Sequence, residues 1–354
     1  MSNKQDVRVL AGLPDKITAL LTSADPNLVD ELQPLTDILH SFILARLPEP
    51  DTPLSDAALH HFSIPGKMVR AKMALRAAGL LKIDVTAALH WAVAIEVLHN
   101  ASLIHDDICD GDQLRRDRPS VWSLYGQNIA LTLGDWLIAL AFELAAEAGQ
   151  RSQTPLLVKI LAQHMATTSA GEAAEFSTRT LFDWDSYRTI AADKTAPLLT
   201  APLEGVATMA LHVNASAAIG TYFRSLGTAY QIANDILNFR ALDGAADCAS
   251  DLVRRAPNAV IVLYRQNLTP LQANAFDDWF LSDDNAALCV WQHQILNSDA
   301  MALSAHHMHK TLDQTVYYAQ ALPVGLAEVI APVQALIKQV CLKSVAPVNC
   351  LRAN

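Results

Sequence analysis

The sequence predicts an all-α fold, a helical bundle around a deep central cavity, and three observations carry that expectation. Apolar residues make up 51% of the 354 positions against 18% charged, with only 13 Gly, so the turn residues a β-rich chain needs are scarce. Apolar positions recur at spacings of three and four over long stretches. Two apolar segments, ending near Asp110 and near Asn238, each close in a cluster of oxygen-bearing side chains with the same spacing, as facing walls of one cavity would.

Taken in order, residues 14–48 carry helical periodicity through Ile17, Leu20, Leu21, Leu28, Leu32, Leu35, Leu39 and Phe42. Pro48, Pro50 and Pro53 then break the pattern, and a short helix is expected over 54–62. The stretch Pro65-Gly-Lys-Met-Val-Arg70 reads as a glycine turn opening onto a helix whose first turns hold Lys67 and Arg70, a candidate anion site. Helices follow over 85–110, about 127–148, 152–177 and near 184–196, the last stopped by Pro197. The uncharged run from Gly205 to Phe223 is long enough to span a membrane. It contains His212, Asn214, Ser216 and Gly220, so it reads as a buried helix, a turn near Asn214 and the start of another helix. A helix through Leu226–Asn238, one introduced by Asp251–Asn258 and further helices to about 344 complete the chain. The expected organisation is one domain over 1–354, with 1–13 and 345–354 as frayed tails.

A net charge of −10 argues against nucleic acid as partner. The five cysteines (Cys109, Cys248, Cys289, Cys341, Cys350) lack metal-ligand spacing and fit reduced thiols of a cytoplasmic protein. The first residues, Met-Ser-Asn-Lys-Gln-Asp-Val, contain no apolar core of a secretory signal, and no transmembrane segment is expected. His306, His307 and His309 read as a polar helix face, Cys109 as packing, and Trp136 and Trp291 as core or interface residues.

Chemistry concentrates at Asp106, Asp107 and Asp110, spaced i, i+1 and i+4 at the end of an apolar helix. That spacing puts the carboxylates within one arc. Like charges repel by roughly 4 kcal/mol per pair at ~4 Å and an effective dielectric near 20, and a helix C-terminus disfavours anions. A bare DDxxD is more often a solvated helix end. Here an apolar helix precedes the acids and Arg115-Arg116 follow, which fits a magnesium site serving a phosphorylated substrate, with the arginines gripping phosphate. Asn234, Asp235 and Asn238 repeat the spacing, with Gln231 one turn earlier.

These residues resemble the trans-isoprenyl diphosphate synthases, the polyprenyl synthetase family, over about Gly66–Asn258. The stretch His105–Ser120 is similar to the family's first aspartate-rich motif and its arginine pair, and Gly66, Lys67 and Arg70 match its GKxxR motif. Glu96, His99 and Asp106 match its long helix, Gly134-Asp135, Leu137 and Phe142 its GD-L-AF pattern, and Lys194-Thr195 its KT pair. The resemblance implies an isoprenoid-synthase-type bundle, usually a homodimer. It implies that an allylic prenyl diphosphate is joined head-to-tail to isopentenyl diphosphate with Mg2+, up to three ions. Asp106, Asp107, Asp110, Asn234, Asp235 and Asn238 would hold metal. Arg115, Lys194, Thr195 and Gln231 would hold the allylic diphosphate, and Lys67, Arg70, His99 and Arg116 isopentenyl diphosphate. Leu98, Ala101 and Ser102 would line the chain-length pocket. The small residues four and five places before the first aspartate imply a product of C15–C20 or longer.

The second cluster departs from the family's usual DDxxD by Asn234 and Asn238, and no lysine occurs between Lys194 and Lys310, so Arg254 or Arg255 is the expected stand-in for a family lysine. A terpene cyclase of the same fold, a prenyltransferase with an unusual acceptor and a non-catalytic subunit of a heteromeric synthase stay open on that departure.

Overall fold

The structure, a computed structural model, describes residues 12–23, 33–176, 183–242, 248–282, 284–323 and 325–346. Within them the chain is all-helical apart from one short hairpin. The helices are α1 (Leu13–Ser23), α2 (Gln33–Leu44), α3 (Pro53–Phe62), α4 (Val69–Leu80), α5 (Val85–Asp110), α6 (Val121–Tyr125), α7 (Gln127–Arg151), α8 (Leu156–Phe176) and α9 (Trp184–Thr195). They continue as α10 (Pro197–Met209), α11 (Ser216–Phe239), α12 (Ser250–Arg254), α13 (Ala259–Gln266), α14 (Pro270–Phe280), α15 (Leu288–Leu296), α16 (Ala300–Ala319) and α17 (Leu326–Val345). The hairpin pairs β1 (Leu114–Arg115) with β2 (Arg118–Pro119), antiparallel, Leu114 opposite Pro119.

Two compact units result. The first comprises residues 1–163, 201–216 and 323–332; the second comprises 164–200, 217–322 and 333–354.

The first unit is built around α5. Asp84 starts that helix by accepting from the Ala87 amide at 2.7 Å, and Gly111, at φ +73°, ends it in the left-handed region that glycine enters without strain. Every residue from Ala87 to Leu98 is buried, the mark of a central helix packed on all sides. α7 is its most extensive neighbour, with α4 next. Trp91 needs room. Its indole lies so close to Gly205 that a Cβ there would come within 2.1 Å, and its Nε1–H donates to the carbonyl of Pro202 at 3.2 Å. This contact accounts for the glycine at position 205. His90, fully buried, links Glu147 (3.0 Å) to α5, while Arg46 meets the same carboxylate at 2.7 Å.

In the second unit α11 is the buried helix, and α13 packs between α9 and α16. Asp183 caps α9 by accepting from the Ser186 amide, and Asn258 caps α13 by accepting from the Val260 amide. Gly171 lets the backbone of Lys194 approach α8, since a Cβ would meet its nitrogen at 2.6 Å.

The boundaries expected for 54–62, 85–110, 127–148 and 184–196 agree with α3, α5, α7 and α9 to within a few residues. The run from Gly205 to Phe223 divides as expected, at a 3-10 turn over Val213–Ala215. Leu28 and Leu32, residues 243–247, and Cys350 lie outside the described residues. α5 and α7 are long and apolar enough to cross a membrane; 83% of that stretch of α5 and 44% of that of α7 are buried within the protein. Two expectations are corrected. Lys67 precedes α4 rather than sitting in its first turn, because Met68 at φ +47° delays the helix to Val69. Cys109 is exposed, since it falls on the solvent side of the last turn of α5 rather than in the core.

Candidate active site

The C-terminal turn of α5 and the hairpin after it carry a concentration of the first unit's charged groups. Asp106 and Asp110 are half-buried and one helical turn apart, while Asp107 is buried at 1% exposure. Arg115, on β1, folds back so that its Nε and Nη2 both reach Asp107 Oδ1, at 2.6 and 2.5 Å. Burial pushes the Asp107 carboxyl above the usual carboxylate range, against the pull of that guanidinium. Its Oδ2 is buried and has no hydrogen-bond partner.

The hairpin turn is made by Arg116 (φ +54°) and Asp117 (φ +61°), the pair of left-handed residues a type I′ turn requires. Neither is Gly or Asn, so the conformation costs energy that surrounding contacts must supply. Arg116 Nη1 donates to the Ile64 carbonyl at 2.8 Å, and its guanidinium lies over Gly66, where a Cβ would come within 2.9 Å of Nη2. The Gly66 segment and the arginine pair therefore meet. Arg118 completes the tie by donating to Ser63 Oγ and contacting His60 Nδ1 at 3.2 Å.

Cations crowd this end of the unit. His99 is half-buried and held far below the ordinary histidine range by its desolvation, then by Arg70, Arg115, Arg116 and His61. His61, bonded to Asn100 Oδ1 at 2.9 Å, is pushed down to about 4 by burial, with Arg116 and Arg115 adding to it. Glu96 is the buried counter-charge: burial pushes it up, Arg70 pulls it down, and its carboxylate accepts from the Ala71 amide at 3.4 Å. His60, His61, Arg115, Arg116 and Arg118 line a small cleft of about 20 Å³. Such a cluster stabilises an anion that binds there. Gly134 gives the His105 ring its place, since a Cβ would lie 2.1 Å from Nε2, and Asp135 stands 3.8 Å from that nitrogen.

On α5, Leu98 and Ala101 are buried in the core. Ser102 is half-buried, its hydroxyl donating to the His99 carbonyl at 2.8 Å.

In the second unit Lys194 lies between Glu175 (2.6 Å) and Glu172 (2.9 Å), with Thr195 next to it against Gly227. Asp235 is 2% exposed, and burial, with Asp251 adding, pushes it up to about 8. Tyr187 donates to Asp235 Oδ2 at 2.6 Å and Gln231 to Oδ1 at 3.0 Å. Asn238 is 3% exposed and donates to Ser250 Oγ at 2.7 Å. Arg254 pairs with Asp251 at 2.7 Å, and Arg255 stacks on Trp279 with 3.9 Å between guanidinium carbon and ring centre. Both arginines expected to replace a lysine are thus held by other partners. His307 packs on Trp184 at 4.4 Å, in keeping with a helix-face reading of the histidines.

The model of the polyprenyl synthetase family matches residues 51–325. The chain belongs to that family. The match extends the resemblance read from Gly66–Asn258 in both directions. Among relatives, a (2E,6E)-farnesyl diphosphate synthase of Mycobacterium tuberculosis is 30% identical over 221 residues, 62% of this chain and 59% of that protein. The aligned stretch thus spans less than two thirds of that relative. Heptaprenyl diphosphate synthase component 2 of Geobacillus stearothermophilus is 29% identical over 281 residues, 78% of this chain and 86% of that one. In fold the chain is similar to a polyprenyl synthase of Caulobacter crescentus, whose crystal structure is complexed with calcium and isoprenyl diphosphate. The TM-score is 0.72 at 24% identity, covering 90% of this chain and 98% of that one.

For a divalent ion, Asp106 and Asp110 fit. Magnesium is held by one or two carboxylates, substrate phosphates and retained waters, and the partnerless Asp107 Oδ2 offers an acceptor for such a water. Among the described residues no three His, Cys, Asp or Glu side chains converge on one point. Asp107 differs from the expectation: Arg115 occupies it. The residues the sequence reading passes over are His61, Asn100, Tyr187 and Ser250. Only Asn100 leaves a signal, an amide among apolar residues of α5.

Proposed function

We propose that the chain is a trans-prenyltransferase that condenses an allylic prenyl diphosphate with isopentenyl diphosphate, head to tail, using magnesium. The observation that carries this reading is the pairing of an acid-ended central helix with a cluster of half-buried arginines and histidines, Arg116 exposed among them, in the first unit. A cluster of that size is out of place without a polyanion to bind.

A divalent ion held by Asp106 and Asp110 would supply charge that stabilises the departing diphosphate as the allylic C–O bond ionises. Asp107 holds Arg115, and Arg115 steadies the allylic diphosphate; in the second unit Glu172 and Glu175 pair with Lys194. Lys67, Arg70 and Arg116 hold isopentenyl diphosphate, and His99 adds a donor to it. The allylic carbocation is attacked by the isopentenyl double bond, a C–C bond forms, and a proton leaves to the diphosphate just released. Ser102 stands one turn before Asp106 on α5, where the growing chain would run, and its small size supports a product of C15–C20 or longer.

The test is direct. Purified protein is incubated with Mg2+, isopentenyl diphosphate and C5, C10 or C15 allylic diphosphates, and the products are resolved by mass. Chain-extended diphosphates are expected. Hydrocarbons formed from the allylic substrate alone would overturn the reading in favour of a cyclase. A second reading has one observation in its favour, the 86% coverage of a relative named as a synthase component: turnover only after a partner subunit is added would support it.

A further inference from the structure

The cluster near the end of α11 has the spacing of a metal site and the surroundings of something else. Asp235 Oδ2 accepts from the Tyr187 hydroxyl on α9 (2.6 Å) and from the Ala259 amide in the first turn of α13 (2.7 Å). Its Oδ1 accepts from Gln231, one turn back on α11, at 3.0 Å. Asn238 donates to Ser250 Oγ (2.7 Å), accepts the Asp251 amide at Oδ1 (3.3 Å), and takes the Ala249 amide on its backbone carbonyl (3.0 Å). Asn258 closes the ring by donating to the Asp235 carbonyl (3.3 Å) and to Asp251 Oδ2 (2.8 Å).

A divalent ion with diphosphate needs ligand oxygens with open lone pairs and room for water. Both Asp235 oxygens already accept, three bonds in all, and Asp235 and Asn238 are 2% and 3% exposed. Only the half-buried amide of Asn234 remains, a neutral ligand. The spacing is kept for another reason. On a helix i+1 and i+4 place two side chains one turn apart on one face, and here that face meets α12 and the N-terminus of α13.

We infer that Asn234, Asp235 and Asn238 bind no metal, and that Asp235 and Asn238 form a hydrogen-bonded latch fastening α9, α12 and α13 to α11. Asp106 and Asp110 are then the chain's metal-ligating carboxylates, a clause that rests on the function proposed above; the latch itself does not.

Unfolding in EDTA tests the latch without metal or substrate. Tyr187→Phe lowers the midpoint by about 2–4 °C and Asn238→Ala by at least that much, and hydrogen exchange at the Asp251 and Ala259 amides speeds up in both. Mn2+ binding with inorganic pyrophosphate, counted by electron paramagnetic resonance, is the second arm. Asn234→Ala keeps the wild-type number of ions and Asp106→Asn loses them. Loss of an ion in Asn234→Ala, or wild-type midpoints and exchange in both latch variants, would overturn the inference. Wild-type protein that takes up no Mn2+ would overturn the role given to Asp106, and the EDTA midpoints would then decide the latch alone.

Discussion

Asp106 and Asp107 are neighbours in sequence and opposites in situation. Asp107 is spent on Arg115, so replacing it disturbs an arginine first. Asp106 shares its face with Asp110 and is a proposed metal ligand. Asp106→Asn keeps shape and hydrogen bonding but removes the charge, and turnover in the prenyl-transfer assay is expected to fall by at least about 100-fold, with the unfolding midpoint in EDTA unchanged or raised, because a repelling acid is gone. An equal loss in stability would mean the acid is structural. His99 and His61 give a pH signature. Burial and the nearby arginines keep both neutral in the free protein, His61 down to about 4. A diphosphate bound beside them favours the charged form, so their pKa values rise and protons are taken up on binding near pH 6. Calorimetry of pyrophosphate binding in buffers of different ionisation enthalpy measures that uptake. The expected change is a positive proton number that disappears as pH rises well above 7; a value of zero at pH 6 would place the anion elsewhere.

At the scale of elements, α5 is both core and site, and that double role made it legible. Its Asp84 cap, its largely apolar run and Gly111 mark both ends, and the acids mark the end that matters. The hairpin was not legible, because its turn is Arg116-Asp117 and not the Asn-Gly or Asp-Gly that announces a type I′ turn. The second cluster misled for a related reason: spacing reports which side chains share a face, not what that face meets. Tyr187 lies 48 residues from Asp235, and no local pattern links them. Product length belongs to this scale too. Ala101 has 0% exposure, so a larger side chain there would overpack the core, by about 1–3 kcal/mol. Ser102 is half-buried and tolerates growth. Ser102→Phe is therefore expected to shorten the longest product by one or more isoprene units while leaving the midpoint within a few degrees. Unchanged product length, read by chromatography of the dephosphorylated alcohols, would move the limit to another element.

Across the whole molecule, 36 acidic residues outnumber 26 basic ones, yet the proposed substrates are polyanions. Binding must then depend on local concentration of cations, and on metal to bring anion and carboxylates together. Neither partner suffices alone. With Asp106 and Asp110 as its proposed ligands, Mg2+ alone would keep most of its water and bind weakly; pyrophosphate without Mg2+ would face those same acids. Together they neutralise each other, and the complex at 100 times its Kd should stabilise the fold by about 2.7 kcal/mol, a few degrees in a chain this long. Thermal unfolding with EDTA, Mg2+, pyrophosphate, and both additions should show a shift for the pair well beyond the sum of the single shifts. An equal shift with Mg2+ alone would require a carboxylate-rich metal site in the free protein, contrary to the two-carboxylate coordination argued from α5. Additive shifts would mean that metal and diphosphate bind apart, and the acid-ended helix would lose its explanation.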